Sequence, residues 1–265
     1  EISEIDFKMM VKSDCPFDST VKVNLGLFMK MRRRMQTFLK QFGITRFKGV
    51  GTTNKAMIMN DIDLAVESLR SRDEIYDHIV RVLGPTFVRR SGSSMISLVY
   101  ERYHIDLFVG NIRFIDWARC APSSRKGRGY IKGVFRNFML NAVLRVLSSK
   151  IFETSETDRK RYVLDFDQGL YIVQQTKCGI KGQLKNWKTT EKEFVSNVPD
   201  DIVRLIFQIS KKARYLRSFE ELIPYIKTSP GTRDHVQEIY SSFMEDILKI
   251  DPDSKVFSGH RDEVI

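Results

Sequence analysis

Long apolar runs are absent from this 265-residue chain. None reaches the length of about eighteen residues that a membrane-crossing helix needs, so no membrane partner is expected. The N-terminus lacks a basic region followed by a hydrophobic stretch and a small-residue cleavage site, so no secretory signal is visible. The chain begins with Glu1 rather than Met, which leaves targeting open. Cysteine is scarce: Cys15, Cys120 and Cys178 are far apart, and neither they nor the four histidines form the short pairs of a structural zinc site. The expectation is an intracellular, reducing compartment without a disulfide framework. Internal repeats and low-complexity tracts are also missing, which excludes solenoids and arrays. Acidic residues are nearly absent from one stretch. Between Ile112 and Lys150 nine Lys or Arg face Asp116 alone, so +8 of the formal net charge of +11 sits there. Such a concentration suits a polyanionic partner, DNA or RNA.

The rest of the composition, 42% hydrophobic and 29% charged, is that of a globular protein able to bury a sizeable core. Leu25, Phe28, Met35, Phe38, Leu39 and Phe42 share one helical face that ends at Gly43, while the MRRRM run at 31–35 lies largely on its polar side. Ile44 to Val50 reads as a short strand, and Ile62, Leu64 and Val66 alternate along a second. A polar turn, Gly51 to Asn60, lies between them. Ile75, Ile79, Val80 and Leu83 predict a surface helix closed by Gly84-Pro85, followed by the strands TFVRR, SMISLVYE and YHIDLFV. The loop from Ala121 to Gly129 precedes a helix over about Tyr130 to Ser149. Beyond it, residues 153–161 read as a charged turn and Tyr162 to Val173 as a short hairpin, while 176–190 show no sustained apolar period. Helical periodicity returns after Pro199. Four segments follow: an N-terminal helical segment at 1–43, a sheet-rich segment at 44–120, a basic loop and helix at 121–152, and a small, mainly helical region at 153–265.

In NDIDLAV, Asp61 and Asp63 are one residue apart, so on a strand both leave the same face while Ile62 and Leu64 enter the core. Asp106 sits in a matching apolar frame between Ile105 and Leu107. An Asp-x-Asp pair alone is often only a solvated strand edge. Neighbouring carboxylates repel, however, and become favourable around a hard divalent cation that prefers oxygen ligands. The preceding turn adds Gly51, which lets phosphate oxygens approach the backbone, the hydroxyls of Thr52 and Thr53, and the charge of Lys55.

A Gly-hydroxyl turn, a spacer, Asp-x-Asp and a later single Asp on a neighbouring strand make residues 46–108 resemble the DNA polymerase beta-like nucleotidyltransferase superfamily. Thr52 stands where that superfamily usually has Ser. The resemblance extends towards the DNA polymerase X branch: Pro122-Ser123-Ser124 lies near a conserved-type turn of that branch, and Arg136 on the following helix looks like its arginine. LDFDQGLYI and the following TTEKEFVSNVPDDIVRLIF resemble the strand and the helix opening with Thr and Glu of its small C-terminal subdomain. The resemblance implies an α+β fold, with a palm of mixed sheet and helices followed by a mainly helical C-terminal region. It implies that Asp61, Asp63 and Asp106 are catalytic and hold two Mg2+ or Mn2+ ions, roughly 3.5 to 4 Å apart in two-ion sites. Gly51, Thr52, Thr53, Lys55 and Arg136 would contact a nucleoside triphosphate.

The basic segment, with Arg125, Lys126, Arg128 and Lys132, would follow a nucleic-acid backbone, and Tyr130 and Trp117 are candidates for stacking on a base. The leading expectation is transfer of a nucleoside monophosphate to a nucleic-acid 3′ hydroxyl with release of pyrophosphate. The same acids suit transfer to a small molecule or a protein, and a catalytically silent scaffold is the alternative from another class.

Overall fold

The computed structural model describes residues 20, 22–51, 53, 58–91, 95–120, 133–179, 186–210, 212–213 and 216–250. These fall into two compact units. One holds the described residues between 20 and 120 together with Phe166–Gln168; the other holds 133–165 and the described residues from 169 to 250.

The first unit opens with the short strand β1 (Val23–Asn24) and helix α1 (Leu25–Lys40). The Asn24 side chain caps α1 by accepting from the Leu27 N–H at 2.8 Å. Phe28, Met31, Met35, Phe38 and Leu39 form its buried face, and Arg32, Arg33 and Arg34 stay exposed, as their spacing predicts. The chain then turns through Gly43 at φ +80°. Next come β2 (Ile44–Gly49), β3 (Ile58–Met59) and β4 (Ile62–Ser68). Helix α2 (Arg72–Leu83) starts with a capping box between Ser71 and Glu74. Strands β5 (Val88–Ser91), β6 (Met95–Tyr100) and β7 (Tyr103–Val109) follow, and α3 (Ile112–Ala118) closes the unit.

The main sheet has the order β2-β4-β7-β6-β5, while β1 and β3 pair in a separate ribbon. Strands β4 and β7 run parallel and the other pairs in the sheet are antiparallel, so the sheet is mixed and the fold is α+β. Ile62, Leu64, Ile96, Leu98, Ile105 and Leu107 are all fully buried and share one core with α1 and α2. Each such side chain contributes about 1.5 to 3 kcal/mol when buried. Because strand side chains alternate, this apolar set also fixes the acids on the opposite face; a one-residue slip would drive them into the core.

The second unit contains α4 (Gly133–Ile151), β8 (Asp158–Asp165), β9 (Gly169–Cys178), β10 (Asn186–Ser196), α5 (Pro199–Phe207), α6 (Phe219–Thr228) and α7 (Val236–Ile250). Its three strands form an antiparallel sheet in the order β10-β9-β8. Helix α4 lies along β8: Ser148 Oγ accepts from the Tyr162 N–H at 2.8 Å, and Asn141 Oδ1 from the Leu164 N–H at 3.3 Å. Two readings are corrected: residues 158–161 of the charged stretch begin β8 rather than form a turn, and Thr189 to Ser196, expected to open a helix, belong to β10, so the helix starts only at Pro199. β8 carries the consecutive cations Arg159, Lys160 and Arg161, and β10 is mostly polar and exposed, so neither shows the aliphatic alternation that marks a core strand. The region after residue 153 therefore opens as a sheet before becoming helical. Pro199 begins α5 as expected, with Asp200 and Asp201 in its first turn. No helix among the described residues is long and apolar enough to cross a membrane.

Candidate metal and active site

Parallel pairing of β4 with β7 places Asp63 directly opposite Asp106, flanked by the apolar pairs Ile62 with Ile105 and Leu64 with Leu107. Asp61 stands one residue ahead of β4 rather than on it. The parallel pair thus brings Asp106 to Asp61 and Asp63, more than forty positions earlier in sequence.

The turn before β4 is tied to the same site. The Val50 N–H donates to the Asp63 carbonyl at 2.9 Å, and the Asp63 N–H donates to Thr53 Oγ1 at 2.8 Å. Thr53 is almost wholly buried, so this hydroxyl acts as a brace for the strand that carries Asp63. The Gly51 N–H donates to the Arg119 carbonyl at 3.0 Å. Gly51 has φ +57°, and a Cβ built there would lie 2.6 Å from Asp63 Oδ2. Glycine is required twice at this position, for the backbone angle and for the space taken by the carboxylate. Gly51 and Thr53 therefore shape the turn around Asp63. Thr52 and Lys55 lie outside the described residues, as do Arg125, Lys126, Arg128, Tyr130 and Lys132.

Asp106 is buried and held through one oxygen. Ser97 Oγ donates to Asp106 Oδ1 at 2.6 Å from the opposite position on β6, and His104 Nε2 lies 3.0 Å from the same oxygen. Both contacts use Oδ1, so Oδ2 is the oxygen left for an ion or a proton. His104 was not among the residues singled out in the sequence, yet it stands two positions before Asp106 and so faces the same side of β7. Ligand atoms of Asp61, His104 and Asp106 lie within 4.8 Å of one another.

Burial pushes the Asp63 carboxyl up to about 7, and the charges of Asp61 and Asp106 push in the same direction; Arg119 and His104 oppose them. Asp61 is raised too, first by burial and then by Asp106. A set of acids that resist ionising together is what a divalent cation relieves; the carboxylate oxygens suit a hard ion such as Mg2+ or Mn2+, whereas an imidazole is a ligand of softer ions such as Zn2+. The three carboxylates fit the hard ion.

Arg119 borders the site. Its Nε donates to Asp167 Oδ1 at 2.6 Å, and its guanidinium lies 3.6 Å from the centre of the Phe108 ring. Trp117 is 3% exposed, with its ring 6.1 Å from that of Phe114, so it is a core residue rather than a stacking platform. Arg136 belongs to the other unit and is fully buried there. Its Nε donates to the Leu216 carbonyl at 2.7 Å and its Nη1 to Asn137 Oδ1 at 3.0 Å. No protein-family model matches the chain, and no curated protein does either.

Proposed function

We propose that the first unit carries a metal-dependent phosphoryl-transfer site of the polymerase beta-like kind, built on Asp61, Asp63 and Asp106. More narrowly, the reaction is transfer of a nucleoside monophosphate from an NTP or dNTP to a nucleic-acid 3′ hydroxyl. The observation that carries this reading is the register of Asp63 against Asp106 on adjacent parallel strands, with Asp61 beside them and two of the three carboxyls raised.

Asp61, Asp63 and Asp106 would hold the divalent ions, with His104 close enough to ligate or to steady Asp106. Bound there, the ions supply Lewis acidity at the phosphate and a lower pKa for the attacking hydroxyl. The acceptor 3′ oxygen forms a bond to the α-phosphorus, the bond from that phosphorus to the bridging oxygen breaks, and pyrophosphate leaves with the electron pair. Asp106 can take the hydroxyl proton on Oδ2 while Ser97 fixes Oδ1. Thr53 and Gly51 keep Asp63 in register with it. The high concentration of positive charge between Ile112 and Lys150 supports a nucleic acid as the acceptor over a small molecule.

The test is incubation with Mg2+ or Mn2+, labelled NTPs or dNTPs, and three acceptors: single-stranded RNA, single-stranded DNA and a primed template. Elongation that disappears in the Asp61→Ala, Asp63→Ala double variant is the expected result. Nucleotide binding without elongation of any acceptor would point to a small-molecule or protein acceptor. Neither binding nor incorporation would favour a silent scaffold.

A further inference from the structure

The sheet of the second unit has two unlike faces. Arg159 and Arg161 on β8 lie opposite Gln175 and Val173 on β9, and Lys177 on β9 lies opposite Trp187 on β10, so these side chains share a face. A β-bulge in β10 between Thr189 and Glu191 then shifts the register. Without it, Glu191 and Glu193 would fall opposite Val173 and Tyr171. With it, Lys192 and Phe194 take those places and the two glutamates turn to the other face. The bulge thus exchanges two acids for a cation and an aromatic. Asp165 is the one carboxylate that the described strands place on this face, and Lys192 Nζ lies 3.6 Å from it.

The cations pack over the aromatic rings, which leaves the outer ring faces for a base. The Arg159 guanidinium sits 4.1 Å and Lys177 Nζ 5.3 Å from the centre of the Trp187 ring, while Lys192 Nζ sits 3.7 Å from that of Tyr171. Phe194 is 52% exposed and meets Tyr171 edge to face. At the β8 side, Arg145 of α4 is close enough to Arg159 and Arg161 for their charges to interact, and Asp246 opposes this at Arg161. Asp246 already pairs with Arg145 at 2.7 Å. Arg161 Nε is buried and has no hydrogen-bond partner among the described residues. Arg159 donates through Nε to Gln175 Oε1 at 2.9 Å, a neutral partner, so the positive charge of this arginine pair is one that an anion would neutralise.

We propose that this sheet face binds a single-stranded nucleic acid, with bases stacking on Trp187, Tyr171 and Phe194 and phosphates meeting Arg159, Arg161, Lys177 and Lys192. Stacking platforms alternating with cations suit a strand whose bases are unpaired, because a duplex hides its ring faces. The strand is the acceptor in the reaction proposed above, and to that extent the inference rests on that reading. Binding is read without metal or nucleotide, so the two can fail separately.

The experiment is fluorescence anisotropy of a labelled single-stranded 15-mer, as RNA and as DNA, titrated with the full chain in EDTA at several salt concentrations. The same sequence as a duplex is run beside it. Expected are tighter binding of the single strand, about 5-fold or more weakening in Trp187→Ala, and a salt slope lower by about 2 in Lys177→Gln, Lys192→Gln. The second variant changes only two ammonium groups and guards against misfolding of the first. Equal affinity for duplex and single strand, no binding at low salt, or unchanged affinity and slope in both sheet variants would overturn the proposal.

Discussion

Replacing Asp63 by Asn should stabilise the metal-free protein while abolishing its activity, and the gain should depend on pH. Asn keeps the shape of a protonated Asp and removes the charge. In the folded protein Asp63 titrates near 7, against 3.8 for the free side chain, first because of burial and then because of Asp61 and Asp106. A carboxyl raised on folding gives a contribution that is fully present below the unfolded value near 3.8 and is lost as pH rises through the folded value near 7. At about 1.4 kcal/mol per pH unit, the shift of about 3 sets a ceiling of about 4 kcal/mol at pH 8. Asn has no such loss. For a protein of this size, 1 kcal/mol moves Tm by about 2 to 4 °C. Thermal melts in EDTA should therefore show Asp63→Asn and the unaltered protein nearly equal at pH 4, with the variant ahead by several degrees and at most about 16 °C at pH 8. Millimolar Mn2+ should raise the Tm of the unaltered protein more than that of the variant, because the ion binds the ionised carboxylates of the folded state. A Tm difference that ignores pH, or a variant less stable at pH 8, would refute the view of Asp63 as a strained acid awaiting a cation.

Four further outcomes follow from the geometry. Gly51→Ala puts a methyl 2.6 Å from Asp63 Oδ2 at a backbone φ of +57°, so elongation activity should fall about 100-fold or more and stability by about 1 to 2 kcal/mol, read by primer extension and urea melts. Ser97→Ala removes the 2.6 Å donor to buried Asp106 and should cost about 1.5 to 3 kcal/mol of stability at neutral pH, with a drop in kcat larger than any change in KM. His104→Phe should weaken Mn2+ binding in calorimetric titration by about 10-fold, whether the imidazole ligates the ion or orients Asp106. Arg119→Gln should destabilise the first unit by about 2 kcal/mol or more, measured by urea melts, because Asp167 loses its charged partner inside the protein.

The three clustered acids were legible because two periodicities agreed. Ile62 and Leu64 had to enter the core, which forced Asp61 and Asp63 outward, and the same logic applied to Ile105, Asp106 and Leu107. That logic also reached His104, which lies two positions before Asp106, but a lone histidine carries no signal until its neighbour is known to be a ligand. Ser97 lay beyond reach. Its contact depends on the register of β6 against β7, set by a tight turn in which Glu101 and Arg102 adopt φ of 48° and 70°. An Asn-Gly pair would have announced such a turn; Glu-Arg does not. Thr53 was legible as a hydroxyl near the acids but not as the acceptor for the Asp63 N–H, since the direction of a turn side chain is decided by the fold around it.

The second unit marks where hydrophobic patterning stops being informative. An amphipathic helix such as α5 declares itself because one side must be buried, and Ile202, Val203, Ile206 and Phe207 are all buried. A strand that carries Arg159 and Arg161 on one face and Lys160 and Tyr162 on the other offers no apolar alternation to detect. Its strand character comes from pairing with β9 along eight positions, a long-range cause that no local window contains. Arg136 shows the converse. The resemblance to the polymerase X branch makes it a nucleotide ligand, whereas in the structure its guanidinium is buried on the carbonyl of Leu216, eighty residues away in sequence. A cation's role is settled by the acceptor that reaches it, and the sequence orders acceptors along the chain rather than in space. Carboxylates in fixed apolar frames are the favourable case, because the frame itself states which way each one points.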